Sequence, residues 1–247
     1  MRNTIFIIIA FGLLSGCEKN IKSTKSNLFD IKLPDLKYFN ANNVLFDKTV
    51  TLIHKKDTLE LFKYDSLGRF SSYNYTRMWS RKESINYFDK TQFPIFKHIR
   101  VDYTLSFLGS LVKESPDTVR TFWYHEFGDV IDTFQYVYKD NLIRKIQSNS
   151  LNDYEKHKLE RIFIYDNGNL IKIKANTIWG NKSGFGKLDS IIVNYTYNDK
   201  IISNINEHFY FKDKSNNHSN FYFFNDKGYP NKVIYRDTMN IDISVQK

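Results

Sequence analysis

The residues able to carry chemistry are present in this chain, but their spacing does not bring them together. There are six histidines and one cysteine, Cys17. The histidines lack the short intervals of a zinc site and no HExxH stretch occurs, so no metal is expected. His98 and Asp102 share one alternation and would sit about 13 Å apart along a strand rising ~3.4 Å per residue, beyond the reach of a base and its orienting acid. His125 and Glu126 are adjacent and so point to opposite faces of a strand, while His208 and His218 flank separate strands. The stretch GNKSGFGKL at 180–188 has Asn181 where a phosphate loop needs its first glycine. It has Leu188 where that loop needs Ser or Thr, and a strand-like segment follows instead of a helix. It reads as a Gly-rich loop whose flanking Trp179 and Phe185 could frame a ligand-stacking lip. DNGN (166–169) and NDKG (225–228) offer oxygen ligands without the alternating acids and distal glutamate of a calcium loop, and turn chemistry accounts for them. No catalytic residue and no cofactor are assigned.

Aromatic side chains are the other resource: 21 Phe, 17 Tyr and 3 Trp. A chain without a disulfide needs ring area for its core, and each ring can bury about 150 Å² or more. Most rings are therefore expected inside. Tyr73, Tyr75, Trp79 and Trp179 adjoin turns or loops, and together with Phe185 they are the candidate ligand-stacking residues, suited to a glycan or an envelope protein.

The elements that must position these residues begin after a leader. Met1–Thr4 carries one positive charge and Ile5–Leu14 is an apolar run of ten, too short to span a bilayer. Leu14-Ser15-Gly16-Cys17 resembles the lipobox of bacterial lipoproteins. That resemblance implies cleavage before Cys17, acylation of its thiol and new amino group, and a lasting membrane anchor at ~0.8 kcal/mol per buried methylene. The partner is then the membrane itself, and the expected place is the outer membrane, lipid-anchored, on either face. Residues 1–16 form the signal peptide, and 17–27 the lipidated cysteine with a polar tether. Lys19, Lys22 and Lys25 of that tether could each add about 1 kcal/mol of attraction to an anionic surface. Glu18-Lys19 is similar to the export cue of surface lipoproteins of the Bacteroidota.

The formal charge is +9, and removal of residues 1–16 takes away Arg2 and no acid, leaving +8. The lysines are scattered and no helix carries a dense Arg face, so nucleic acid is excluded as a partner. Residues 28–247 contain no Pro, Gly or Ser-rich linker and form one domain.

Within that domain one pattern recurs: an aromatic ring, a short acid or amide turn, then aliphatics. In RIFIYDNGNLIKI (161–173), Asn167-Gly168 suits a two-residue type I′ loop. Continuous pairing from that loop would put Ile162, Ile164, Ile171 and Ile173 on a buried aliphatic face, and Phe163, Tyr165, Leu170 and Lys172 on a half-wet one. FKYDSLGRF (62–70) and YFFNDKGYP (222–230) place Asp65 or Asn225 first and Gly68 or Gly228 fourth in a type I turn. Looser copies start at Tyr136 and Tyr195. The aligned rings are Tyr64, Tyr138, Tyr165, Tyr197 and Phe224, and the long gap after Tyr64 hides one or two further copies.

Between copies the alternation has period two. Ile99, Val101, Tyr103, Leu105 and Phe107 oppose His98, Arg100, Asp102, Thr104 and Ser106 on one continuous segment, and Ile191, Val193, Tyr195 and Tyr197 repeat the theme. The fold expected is all-β: an antiparallel meander of repeated hairpins, about twelve strands, forming one large curved or barrel-like sheet.

Tyr64-Asp65-Ser66-Leu67-Gly68-Arg69-Phe70 resembles the YD repeat of rearrangement-hotspot proteins, and the chain is similar to short lipoproteins of the Bacteroidota that carry such hairpins. The resemblance implies a β-sheet surface module with no activity attached. The function expected is a non-enzymatic binding or scaffold module presenting an aromatic-rich sheet. The alternatives are an assembly partner that pairs its sheet edges with another β protein, or a cell-envelope glycan hydrolase, which needs converging carboxylates.

Overall fold

A computed structural model describes residues 28–34, 38–75, 81–101, 104–125, 130–150, 157–179 and 188–247. Sixteen strands follow one another: β1 (Thr49–His54), β2 (Asp57–Tyr64), β3 (Phe70–Tyr75), β4 (Arg81–Tyr87), β5 (Pro94–Arg100), β6 (Thr104–Ser115), β7 (Thr118–His125) and β8 (Val130–Lys139). Then come β9 (Leu142–Ser150), β10 (His157–Asp166), β11 (Asn169–Trp179), β12 (Leu188–Asn198), β13 (Ile201–Phe211), β14 (His218–Phe224), β15 (Pro230–Tyr235) and β16 (Met239–Gln246). Each pairs antiparallel with its neighbours in sequence, and β1 pairs with β16, so the meander closes into one barrel. The number exceeds the twelve expected partly because 98–106 is not one strand. Arg100 pairs with Thr104, making β5 and β6 a hairpin in which His98 Nδ1 meets Ser106 Oγ at 3.0 Å.

The wall is apolar inside and polar outside. Val50, Phe62, Val119, Tyr136, Ile146, Phe163, Ile173, Val193, Ile205 and Val233 all point inward and are buried. The residues between them on the outer face include Lys82, Ser84 and Asn86 on β4, Lys145, Gln147 and Asn149 on β9, and Asn204, Asn206 and His208 on β13. Apolar residues also stand on the outer face: Phe96, Leu108 and Tyr124 adjoin across β5, β6 and β7, and Phe221 and Ile234 across β14 and β15, while Leu108, Val112 and Ile162 are exposed aliphatics. Along β4, β9 and β13 the outer face is the reverse of a membrane-spanning barrel's, whose outer band is apolar.

All seven hairpins at one end of the barrel share a device. The register shifts within the last two ladder steps before each turn: in β2–β3, β4–β5, β6–β7, β8–β9, β10–β11, β12–β13 and β14–β15. A bulge adds one residue to one strand and turns the residues beyond it to the other face. In β10–β11 the extra residue is Ile171: Tyr165 pairs with Leu170, but Ile164 pairs with Lys172 and Phe163 with Ile173. The facing expected from continuous pairing is therefore corrected. Phe163 and Ile173 are buried, and Ile162 and Ile171 are exposed. The aromatic face is the core face.

Six of the seven hairpins carry an inward ring at the last or last-but-one residue of their first strand, Tyr64, Tyr87, Tyr138, Tyr165, Tyr197 or Phe224, two residues after another inward side chain, and the bulge on the second strand brings that strand's residues into step with it. The gap after Tyr64 holds two hairpins, one with a ring (Tyr87) and one with Ser115 in that place. Four of the tyrosines tie their hairpin to the one before it. Tyr87 donates to the Phe70 carbonyl, Tyr138 to Pro116 at 2.8 Å, Tyr165 to Ile143 at 2.9 Å and Tyr197 to Leu170 at 2.9 Å. The repeated ring thus supplies buried area and a hydroxyl that fixes successive hairpins, and burial pushes the Tyr165 hydroxyl up to about 12.

The turns follow their residues. Asp140-Asn141 and Asn167-Gly168 adopt the paired positive φ of two-residue loops. Asp65 and Asn225 cap the longer turns, accepting from the amides of Leu67 and Arg69, and of Lys227 and Tyr229. Gly68 and Gly228 take φ of 72° and 79°.

A sixteen-stranded wall encloses more space than its own side chains fill, and residues 28–34 and 38–48 enter that end of the barrel as a plug. Ile31 and Tyr38 join the core formed by β7 to β14, while Phe39 and Leu45 join the core formed by β1, β2, β15 and β16. The plug is held by two asparagines. Asn40 donates to the Gly68 carbonyl at 2.6 Å and accepts from the Leu45 amide at 2.8 Å. Asn42 donates to the carbonyls of Ile202 and Gly228 and accepts from the Ile202 amide. Side chains on the two turn glycines would strike the plug: a Cβ on Gly68 would lie 3.1 Å from Asn40 Nδ2, and one on Gly228 would lie 3.0 Å from Asn42 Cβ.

Candidate functional site

Beside the plug a cavity of about 500 Å³ opens between Lys32–Pro34, the turns after β2 and β4, and the inner wall of β4, β5 and β8 to β10. Its apolar lining includes Ile85, Phe134 and Ile146, and its polar lining includes Tyr87, Glu83, Lys97, Tyr136 and Arg161. A second cavity of about 370 Å³ lies against the plug and the turns from β8 to β15. Its only charged lining residues are Lys32, Lys200 and Lys227.

The larger cavity gathers several charged side chains on the inner face of the wall. Arg81, Glu83 and Lys97 reach the inside because Tyr73 pairs with Glu83, Tyr75 with Arg81 and Ile85 with Lys97, all on the inward face. Glu83 is shared by Arg81 and by Lys97, whose Nζ lies 3.4 Å away. At the mouth, Arg69 pairs with Asp65 at 2.7 Å, donates to the carbonyls of Asp89 and Thr91, and lies 4.6 Å over the Tyr87 ring. One residue of the local turn thus locks its hairpin to the next.

Arg161 differs from these. It stands on β10 between Ile146 of β9 and Ala175 of β11, both buried. Burial lowers the proton affinity of its guanidinium, and the partial charges it feels come from Tyr38, Tyr136 and Glu207. Among the described residues it makes no ion pair. Tyr136 beside it is pushed up to about 12 by burial.

Glu207 is the other inward acid of note, on β13 and buried. Asn220 Nδ2 donates to its Oε2 at 3.1 Å and the Tyr222 hydroxyl at 3.3 Å, with Tyr38 of the plug also bonded to it. Burial raises its carboxyl above the usual range despite these donors.

Of the ligand-stacking candidates, Tyr73 and Tyr75 are described, and they share the inward face of β3. Tyr73 points inward and packs on Phe62, ring centres 5.0 Å apart. Burial, and then Glu60, push its hydroxyl well above the usual phenol range. Tyr75 faces inward between Glu60 and Arg81. Cys17, Trp79 and Phe185 lie outside the described residues, as does the side chain of Trp179, the last residue of β11. His98 and His208 each meet a serine across the sheet on the outer face, Ser106 and Ser219 at 3.0 Å. Among the described residues no three His, Cys, Asp or Glu side chains converge as a metal site would need. Sequence reasoning missed Glu83, Lys97 and Arg161. The available signal was a charged residue in step with inward rings, Arg161 with Phe163 and Tyr165 and Glu83 with Tyr87, which assigning the aliphatic face of the 161–173 hairpin to the core conceals.

No protein-family model matches the chain and no curated protein matches it. Among solved structures, a porin-like protein from Bacteroides uniformis ATCC 8492 is similar over 81% of this chain and 96% of that one, at 10% identity and a TM-score of 0.37. A likeness of that degree says nothing about what this chain does.

Proposed function

We propose that this chain is a non-enzymatic binding lipoprotein of the bacterial envelope. It is acylated at Cys17 and holds a water-facing, plugged barrel off the outer membrane on the tether 18–27. The observation that carries this reading is the polarity of the wall. Lysines and amides cover the outer face of β4, β9 and β13, and a lysine at the middle of a bilayer costs about 2–4 kcal/mol. A barrel built this way needs a separate anchor, and Cys17 supplies one. The YD-like hairpins are then the structural repeat of the wall.

In this reading the ligand is taken inside the barrel, where the cavity opens beside the plug, rather than on the outer sheet. Assembly through sheet edges loses its support, since β1 and β16 pair and leave no edge to extend. A hydrolase is not favoured: Glu83 is held by two cations and Glu207 is enclosed by donors.

The test is fractionation. With its own leader the chain should incorporate an alkyne-palmitate label that Cys17→Ala abolishes. With residues 1–17 replaced by an ordinary cleaved secretory leader, the barrel should appear in the soluble fraction. Recovery of that unlipidated barrel in urea-washed membranes would overturn the reading, because the wall itself would then be in the bilayer.

A further inference from the structure

We propose that the cavity beside the plug binds an amphiphilic monoanion, a carboxylate with an apolar body, whose head group is taken by Arg161. This rests on the reading of the chain as a binding protein and names the ligand class.

Each of the other cations at this cavity except Lys32 at the mouth already has a carboxylate: Asp65 for Arg69, and Glu83 for Lys97 and for Arg81 behind it. Arg161 is set deeper, between Ile146 and Ala175, and among the described residues it has no ion-pair partner. Glu207 exerts some pull on it but forms no ion pair with it, its Oε2 being taken by Asn220 and Tyr222. A guanidinium held in an apolar wall without an anion is costly, and a bound carboxylate meets its forked donors in bidentate geometry. Inside the mouth, where Lys32 stands, Arg161 is the one lining cation among the described residues with no carboxylate, and a single carboxylate head group would match it.

The body of the ligand is set by the rest of the lining. Phe134, Ile146 and Ile85 offer apolar surface around the guanidinium, and a cavity of about 500 Å³ is in the range of sites that take small organic ligands. Lys32 and Arg69 at the mouth add positive charge that would draw an anion inward. A neutral sugar would leave Arg161 uncompensated.

The test uses the chain from Cys17 onward, produced without its leader and free of detergent. The probes are the fluorescent fatty acid cis-parinaric acid and its uncharged methyl ester. The acid is expected to bind at least tenfold more tightly than the ester, with Arg161→Gln removing that preference and Arg161→Lys restoring part of it. Arg100→Gln, on the outer face, should leave binding unchanged. Ile146→Trp, which fills the cavity, should weaken acid and ester together. Thermal melts run beside each titration, and Arg161→Gln is expected to fold at least as well as the parent because it removes an unpaired buried charge. If acid and ester bind alike and Arg161→Gln changes nothing, the anion site is wrong although the chain still binds ligands. If neither probe binds the parent chain, the amphiphile assignment is wrong. Neither result depends on the fractionation outcome, which tests the anchored, water-facing barrel separately.

Discussion

The two halves of the barrel interior are built by the same hairpins and filled in opposite ways. Under β1 to β3 and β15 to β16, Phe39 and Leu45 of the plug meet Phe62, Val50 and Val233, with Phe39 and Phe62 ring centres 4.7 Å apart and every one of these side chains buried. Against β4, β5 and β8 to β10, the plug residues Lys32–Pro34 leave a cavity, and the wall presents Glu83, Lys97 and Arg161. The repeat sets the wall, and what the plug leaves unfilled sets the site. The packed half carries the stability that lets the other half hold charge.

That contrast can be broken most sharply in the packed half. Phe62→Ala should cost about 3–5 kcal/mol in chemical denaturation, since no neighbour can close over the lost ring. Ile146→Ala at the cavity should fall near the lower end of the ~2–5 kcal/mol range for such truncations, because space already adjoins it. Equal losses at the two sites would mean that the halves are packed alike.

The plug comes next in size. Asn42→Ala removes two donated bonds and one accepted bond to turns far away in sequence, and should cost about 1–3 kcal/mol. Proteolysis between the plug and β1 should quicken in this variant. An unchanged midpoint and cleavage rate would show that the plug is held by its apolar residues alone.

The smallest effect concerns Glu207, where plug and wall share a carboxyl. Its folded value lies above the ordinary 4.5 because burial disfavours the charge. The neutral form therefore contributes stability that is fully present below the ordinary value and is lost as pH rises through the raised one. Melting temperature should fall as pH is taken upward through that window, and Glu207→Gln should flatten the profile. A slope that survives the substitution would assign it to another group.

Much of the wall was legible in the letters. Turns such as Asp65…Gly68 and Asn167-Gly168 are decided by side chains within five residues and by which residues tolerate positive φ, so their places and the antiparallel meander could be read directly. The site could not. Arg161 sits in LERIFI, where parity alone does not say which residues face in, and the bulge at Ile171 inverted the facing derived from the turn.

The sequence by itself determined the hairpins and the recurring ring, because those depend on local backbone preference and on period-two alternation. Only the tertiary structure decided that β1 meets β16 across almost the whole chain, that four of the ring hydroxyls bond the preceding hairpin, and that residues 28–34 and 38–48 turn inward to fill one half of the barrel and not the other. Closure comes from twist summed over sixteen strands, and the plug is chosen by the volume that closure leaves. Neither quantity exists in any short stretch of the chain.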